Sequence, residues 1–346
     1  MRPDLPLRLK NSGAALILVL WVLAFLTVIA AQFARTMRTE AGIAFNYREM
    51  ARAHYSARAG VNMALQALLR SLRHPTAMQT RSEDPDPDAP DWRINMDIPI
   101  TGPRQERIVT RIDNEGGKVN INLADQRLLR LAVSGLGLTE EEENTIVDSI
   151  LDWRDSDNRP RPLGAEDDYY QALPVPHPCK NSDFDDISEL LLVRGVTPEI
   201  YFAGLSERVT VHPTRDTARQ ALGMKPGTSQ SADGFDFNRI NINAAAPELL
   251  MALPEFTAEM VEALVEYRLE QDLRADSDLV KLIGARAFLS VRPLITYHRS
   301  PYYTLSATAQ MDQSGVRQGV AMTVRLDLQA KDQYHTVHWH PHTVVR

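Results

Sequence analysis

Between Lys10 and Arg35 the chain carries twenty-four consecutive residues without a charge, centred on the apolar run from Ala14 to Ala31. As a helix that run spans roughly 36 Å, enough for a hydrocarbon layer of about 30 Å. A helix in a soluble core is seldom apolar on every side. A cleaved secretory signal is the other reading, because Arg2, Arg8 and Lys10 precede the run and Ala30-Ala31 could end it. Yet the run exceeds the roughly 7–15 apolar residues of such signals, and no Gly or Pro breaks it between Ala14 and Ala41. The pattern then turns amphipathic: Ala57, Val61, Ala64, Leu65, Leu68 and Leu72 recur at intervals of three or four. One long helix over 14–73 is expected, with a membrane-bound first half and a second half packed on a folded domain. Basic residues flank the apolar run on both sides, so charge alone leaves its orientation open.

After this helix the period changes. Residues 74–91 hold four prolines among acidic side chains and read as a linker. Two-residue alternation marks strands at Arg93–Ile98 and Arg107–Ile112, and again at Tyr303–Ala309 and Val320–Leu328. Between them, residues 117–300 look mainly helical. The expected class is therefore α+β: a small β-domain over 74–116 and 301–346 holds a large α-domain, 117–300, as an insert. The insert repeats itself. Lys118-Val-Asn-Ile-Asn-Leu-Ala124 matches Arg239-Ile-Asn-Ile-Asn-Ala-Ala245, and Leu128-Leu129 matches Leu249-Leu250. Each copy then leads to an aromatic–Arg pair, Trp153-Arg154 and Tyr267-Arg268. Farther on, Ser188-Glu-Leu190 with Gly195 parallels Ser277-Asp-Leu279 with Gly284. The expectation is that Asn-Ile-Asn ends a strand and caps a helix, and that the following leucines pack a hairpin of helices.

Charge divides along the same lines. The 346 residues carry 38 basic and 45 acidic side chains, a formal net charge of −7. Residues 1–73 hold ten Lys/Arg against three acids, a balance of +7; residues 117–210 hold nine against eighteen, a balance of −9. A net-acidic chain lacks the clustered basic charge that sequence-independent nucleic-acid binding needs. One cysteine, Cys179, rules out an intrachain disulfide and any multi-cysteine metal site.

Three features carry possible chemistry. Asn-Ile-Asn followed by a leucine-rich helix resembles the helix-hairpin-helix units of DNA-binding proteins, whose backbone N–H groups hold phosphate. A membrane-tethered DNA-binding protein is thus the alternative function. Against it, Glu140, Glu141, Glu142 and Glu143 follow the Gly135-Leu-Gly137 hairpin, and the second hairpin, Leu253-Pro-Glu-Phe256, has no glycine. The second feature is the acidic series Asp152 to Asn158, Gly164 to Tyr170 and Asn181 to Asp186. Crowded carboxylates repel unless a hard cation sits among them, and Ca²⁺ takes six to eight oxygens. Asp155, Asp157 and Glu166 fall at positions 1, 3 and 12 of a twelve-residue loop, but Pro160 stands at position 6, so this is no EF-hand. A solvated acidic surface paired with Arg159 and Arg161 is the plainer reading. Third, His338, His340 and His342 alternate and on a strand would share a face able to hold zinc, but Pro341 interrupts them and a tail is expected. No nucleophile elbow, zinc-protease motif, P-loop or dinucleotide fingerprint occurs, so an enzyme is not expected.

A larger set of residues now falls together. Gly13-Ala-Ala-Leu-Ile-Leu-Val-Leu-Trp-Val-Leu23, Ala53-His-Tyr-Ser-Ala57 with Ala59-Gly60, Asn120-Ile-Asn122, Asp152-Trp-Arg-Asp155-x-Asp157 and Gly164-Ala-Glu-Asp-x-Tyr-Tyr170 resemble the protein K family of the type II secretion system, its large minor pseudopilins. The resemblance implies a pseudopilin fold, a long N-terminal helix on a small antiparallel sheet, with an inserted α-domain of two helix-hairpin-helix, SAM-like repeats. It implies a leader, 1–13, cut by the prepilin peptidase between Gly13 and Ala14, and methylation of Ala14. It also implies a single-pass inner-membrane anchor with a cytoplasmic N-terminus and a periplasmic globular part. At mature position five, where most pilin-like subunits carry glutamate, this chain has Leu18, as the family does. The implied partners are minor pseudopilins I and J, together capping the pseudopilus and helping start its assembly, with the other secretion components and no nucleic acid. The implied cofactor is structural calcium, held first by Asp155, Asp157, Glu166 and Asp167, with Asp152 and Asp168 behind them.

Overall fold

A computed structural model describes residues 12–71, 90–102, 105–214, 236–327 and 330–341, with the side chains of 12–14 left aside. Leader residues 1–11 and Leu72 lie outside the described residues, as do most of the linker and His342.

Helix α1 (Ser12–Ser71) is continuous over sixty residues, as an unbroken stretch without Gly or Pro to Ala41 allows. Its two halves meet different surroundings. Every side chain from Ala15 to Arg48 is exposed, including Trp21 at 74%. This half is long and apolar enough to cross a membrane. From Ala53 onward one stripe is buried: Ala53, Ala57, Val61, Ala64, Leu65 and Leu68. These residues lie on a five-stranded antiparallel sheet of order β1-β2-β7-β8-β9, formed by β1 (Asp97–Thr101), β2 (Arg107–Asn114), β7 (Tyr302–Gln310), β8 (Arg317–Leu326) and β9 (Tyr334–His340). The register sets Ile112 opposite Leu305, Thr110 opposite Ala307 and Ile108 opposite Ala309, so one face supplies the apolar bed for α1. Gly60 lets the helix settle: a Cβ there would stand 2.9 Å from Ala307 Cβ and from Thr110 Oγ1.

The strand expected at Arg93–Ile98 begins only at Asp97. Asn95 takes a positive φ of 64°, and the Arg93 guanidinium turns away to donate to the carbonyls of Leu269 (2.5 Å) and Arg268 (2.9 Å). Pro99 is tolerated because β1 is an edge strand. The histidine-rich end is a strand and not a tail, since β9 pairs with β8 along its length.

Because β2 pairs with β7, the chain between them leaves and re-enters the sheet at neighbouring strands. Asn114 closes that neck. Its Oδ1 accepts from Ser300 N (3.0 Å) and its Nδ2 donates to Ser300 O (2.8 Å). The intervening segment has its own apolar core and is built twice on one plan. In the first unit, β3 (Val119–Asn120) leads to α2 (Gln126–Val133) and α3 (Glu140–Arg154), and β3 pairs in parallel with β4 (Val209–Thr210). In the second, β5 (Ile240–Asn241) leads to α5 (Pro247–Met251) and α6 (Ala258–Glu270), and β5 pairs in parallel with β6 (Ile295–Thr296). Short α4 (Asp167–Gln171) follows the first unit and α7 (Asp276–Val291) the second.

The repeated asparagines do not cap helices. Asp125 caps α2 by accepting from Leu128 N at 3.0 Å, and α5 opens on Pro247 with no side-chain cap. Asn120 and Asn241 instead accept the N–H groups of their own turns, from Asn122 (2.8 Å) and Asn243 (2.9 Å). Asn122 brackets distant backbone, donating to Phe184 O and Val211 O and accepting from Phe184 N. Asn243 does the same with Leu273 N and O. The repeated arginines close the motif: Arg154 donates to Ile121 O and Ala124 O, and Arg268 donates to Ala245 O (2.7 Å).

Candidate metal centre

The end of α3 positions the acidic cluster. The capping box of Thr139 and Glu142 starts this helix, and the four glutamates that follow the Gly135-Leu-Gly137 turn fill its first turn, where the helix dipole favours negative charge. At the other end Trp153, 3% exposed, anchors the helix edge-on to Tyr170 at 5.1 Å and stacked on Phe184 at 6.3 Å. Tyr170 is fully buried while Tyr169 stays partly exposed beneath the Arg194 guanidinium, 4.8 Å from its ring centroid. The aromatic anchors hold the loop 155–166 down against the helix that precedes it.

This loop brings together one carboxylate oxygen each from Asp155, Asp157 and Glu166, all within 4.8 Å of one another. Asp152, fully buried, lies beside them. The approach is close enough that a Cβ on Gly164 would stand 1.9 Å from Asp152 Oδ2. The four carboxylates are unequally served. Asp152 accepts from Arg161 N (3.0 Å) and from the Arg161 guanidinium, which also donates to Asp155 Oδ2 at 2.7 Å. Burial nonetheless raises the Asp152 carboxyl above its usual value. Asp155 and Asp157 also order the loop by accepting from Asp157 N (3.4 Å) and Arg159 N (2.9 Å). Glu166 is only 4% exposed, and neither of its oxygens accepts a conventional hydrogen bond. The weakly donating Cys179 thiol is its neighbour. Burial, and then the charges of Asp152, Asp155 and Asp157, push the Glu166 carboxyl up to about 7. The same burial, with Glu166 and Asp152 nearby, pushes the Cys179 thiol up to about 12, which makes it a poor nucleophile.

Such an arrangement suits a hard cation. A buried carboxylate without partners is costly, and a divalent ion bound by oxygens would satisfy Glu166 and relieve the repulsion from its neighbours. The residues present therefore fit calcium, with Asp155, Asp157 and Glu166 as the gathered donors. The other two expected ligands are placed differently. Asp167 Oδ1 accepts from Cys179 N at 3.0 Å, and Asp168 is exposed on α4. The third acidic block turns to local work: Asp185 pairs with Lys180 (2.7 Å), and Asp186 caps the 3₁₀ turn Ile187–Leu192. Two further participants lie outside the expected ligand set. Arg161 is the counter-ion inside the cluster, and Asp148 accepts from Leu163 N (3.2 Å) to hold the loop's return. The spacing of Asp148 one helical turn before Asp152 is the signal that could have identified it.

Comparison with known proteins covers this same region. Residues 109–214, which contain every candidate ligand, match the family model described as Type II secretion system (T2SS), protein K. A type II secretion system protein K of Pectobacterium carotovorum subsp. carotovorum is 32% identical over 208 residues, 56% of this chain and 61% of the relative. The matched stretch thus spans about three-fifths of that relative's length. A protein of the same description from Pseudomonas aeruginosa is 25% identical over 285 residues, 80% of this chain and 78% of the relative. Among solved structures, the fold is similar to a chain of the GspK-GspI-GspJ complex from enterotoxigenic Escherichia coli, with a TM-score of 0.53 and 19% identity. That likeness covers 88% of this chain and 98% of the other. A family model over the acidic cluster, relatives of one description and a shared fold make this chain similar to protein K of the type II secretion system.

Proposed function

We propose that this chain is a minor pseudopilin that caps the pseudopilus of a type II secretion system, together with minor pseudopilins I and J. In that position it helps start assembly for the export of folded proteins across the outer membrane. The observation that carries this reading is the two-faced helix α1, exposed to Arg48 and uncharged as far as Ala34, then packed on the sheet from Ala53. An apolar helix of this length suits lipid first and a bundle of like helices afterwards. Small residues such as Ala30, Ala31 and Ala34 permit close helix contact. The bulk inserted between β2 and β7 suits a tip and not a repeating subunit of a fibre. The solved complex to which the fold is similar joins its chain to GspI and GspJ, which supports the same partners here.

In this reading residues 1–13 are a leader removed by the prepilin peptidase, and Ala14 becomes the methylated first residue. The anchor crosses the inner membrane once with its N-terminus in the cytoplasm. The β-domain (74–116 and 301–346) and its insert (117–300) then lie in the periplasm. The two units of the insert are helix-hairpin-helix, SAM-like repeats used for packing: Glu140 to Glu143 at the first turn of α3 would repel a phosphate. Calcium is a structural ion of the insert, held by Asp155, Asp157 and Glu166, with Asp152 beside them and Asp167 and Asp168 at the margin. It supplies positive charge to the buried carboxylates and takes part in no reaction.

Co-expression decides the reading. Full-length chain purified in detergent from cells making minor pseudopilins I and J should bring both down in fixed ratio. Recovery of the chain alone, with both partners folded and present, would overturn it.

A further inference from the structure

One cation already lies inside the acidic cluster. Arg161 stands midway along the loop 155–166, and a single nitrogen of its guanidinium, Nη1, pairs both with Asp152 and, at 2.7 Å, with Asp155 Oδ2. Its backbone N–H adds a third bond, to Asp152 Oδ2 at 3.0 Å. Pro160 and Pro162 flank it, and the second of these confines the Arg161 backbone to extended conformations. Asp152 is fully buried and packed against Gly164, whereas the Arg161 side chain is 37% exposed. The guanidinium thus reaches in from the surface, on a stiff stretch of chain, to a carboxylate sealed beneath the loop.

Arg161 serves the four carboxylates unequally. Asp152 and Asp155 hold its guanidinium, while Asp157 accepts the backbone N–H of Arg159 at 2.9 Å. Glu166, 4% exposed, has only the weakly donating Cys179 thiol beside it. Asp155 is the shared member: it pairs with Arg161 and also brings an oxygen within 4.8 Å of those of Asp157 and Glu166. A divalent ion held by that trio must therefore share Asp155 with a second positive charge. Two cations on one carboxylate repel, and in a partly buried site salt screens that repulsion only weakly. The same pairing relieves Asp152 and Asp155 beforehand, so an incoming ion has less carboxylate repulsion left to remove.

We propose that Arg161 is a resident counter-ion that sets the calcium affinity of the cluster, by sharing Asp155 with the bound ion and neutralising Asp152. The inference rests on the calcium reading above and adds to it the residue that tunes the site. In this role the Arg161 side chain weakens calcium binding while it holds the loop 155–166 against Asp152. The loop therefore keeps its fold in calcium-poor solution, and calcium adds to its stability without being a condition of folding. A purely structural role predicts the reverse, since a loop released by the loss of Arg161 would gather its donors at greater entropic cost and bind calcium more weakly.

Full-length chain in detergent, stripped with chelator and desalted, is titrated with Ca²⁺ by calorimetry at neutral pH. Arg161→Gln should tighten calcium binding at least about tenfold, by removal of a unit charge beside the ion, and should melt lower in chelator because Asp152 loses its counter-charge. Arg161→Lys should bind within about threefold of the wild type, because one ammonium can replace the one nitrogen that makes both pairs. Arg159→Gln removes an exposed charge from the same loop and should change affinity far less than Arg161→Gln. Because Arg161→Gln leaves a buried charge unpaired, Asp152→Asn with and without Arg161→Gln repeats the comparison in a fold free of that penalty, and the double variant should again bind at least about tenfold tighter than the single one. Unchanged or weaker affinity on loss of Arg161, in both backgrounds, overturns the inference while leaving the calcium reading intact. Tightening in Arg161→Lys equal to that in Arg161→Gln overturns its basis in charge. A wild-type chain that binds no calcium overturns the calcium reading and the inference together.

Discussion

At the scale of single residues, Glu166 is the side chain whose state is most at odds with its surroundings. Its carboxyl ordinarily titrates at 4.5 and is raised to about 7 in the fold. Between those values the native protein keeps a proton that the unfolded chain has lost. The stability contributed by this group is therefore fully present below pH 4.5 and is lost as pH rises through about 7. The proposed calcium would reverse the preference, because it needs the ionised form. In chelator, the melting temperature should fall across that window by more in the wild type than in Glu166→Gln. Calcium at about a hundred times its Kd should stabilise the wild type by about 2.7 kcal/mol at neutral pH, and much less at pH 5. Glu166→Gln should lose the calcium response while melting no lower than the wild type in chelator. An undiminished calcium shift in Glu166→Gln would exclude this carboxylate as a ligand. Positions 1, 3 and 12 of the loop made Asp155, Asp157 and Glu166 legible in the sequence. Arg161 was legible there too, as a pairing partner of the acidic series; the separate duties of Asp167 and Asp168 depend on which backbone and side-chain groups the folded loop turns inward.

The elements of the insert are held by polar brackets as much as by their leucines. Asn122 satisfies three buried backbone groups on two other segments, at Phe184 and Val211. Removing its amide leaves those groups unpaired, at roughly 1–3 kcal/mol for a buried orphan. Asn122→Ala should lower the denaturant midpoint by an amount equal to about 3 kcal/mol, with an unchanged slope. Asn122→Asp should fare no better, since a carboxylate cannot donate to the Phe184 and Val211 carbonyls. A midpoint within error of the wild type would show that the bracket is dispensable. The repeated Asn-Ile-Asn was plain in the sequence, and so was its link to Arg154 and Arg268. Its use was misread because asparagine before a helix ordinarily suggests a cap. What decides between cap and bracket is whether an unpaired backbone segment lies within reach, and here those segments are 62 and 89 residues away along the chain.

For the whole molecule the governing feature is a helix that must serve two environments. In the proposed reading, residues 1–13 are a leader that is removed before this helix stands among its neighbours in a pseudopilus. Gly13→Ala should leave the leader attached, visible as a slower-migrating band, and should abolish secretion; normal cleavage of this variant would contradict the pseudopilin reading. Gly13 and Ala14 lie in the first helical turn of α1, so the proposed cut falls at the start of an element and not inside a folded domain. The strands at either end of the sequence were legible from alternation, because a sheet with one covered face imposes a period of two on its residues. The order of those strands was not. The neck pairs Asn114 with Ser300 across 186 residues, and no local period reports a pairing at that distance.

The sequence by itself determined the membrane-length helix, the α+β division, the internal repeat and the residues of the acidic loop. Each is a local property, set by side-chain period, by charge density or by spacing within one turn or loop. Tertiary structure alone decided that β9 is an edge strand that presents His338 and His340 together. It also decided that Asn122 and Asn243 tie remote segments, and that Glu166 is left with only the weakly donating Cys179 thiol beside it. These depend on which buried polar groups meet once the insert has closed on the sheet, and the cost of leaving such a group unpaired acts only in the folded chain.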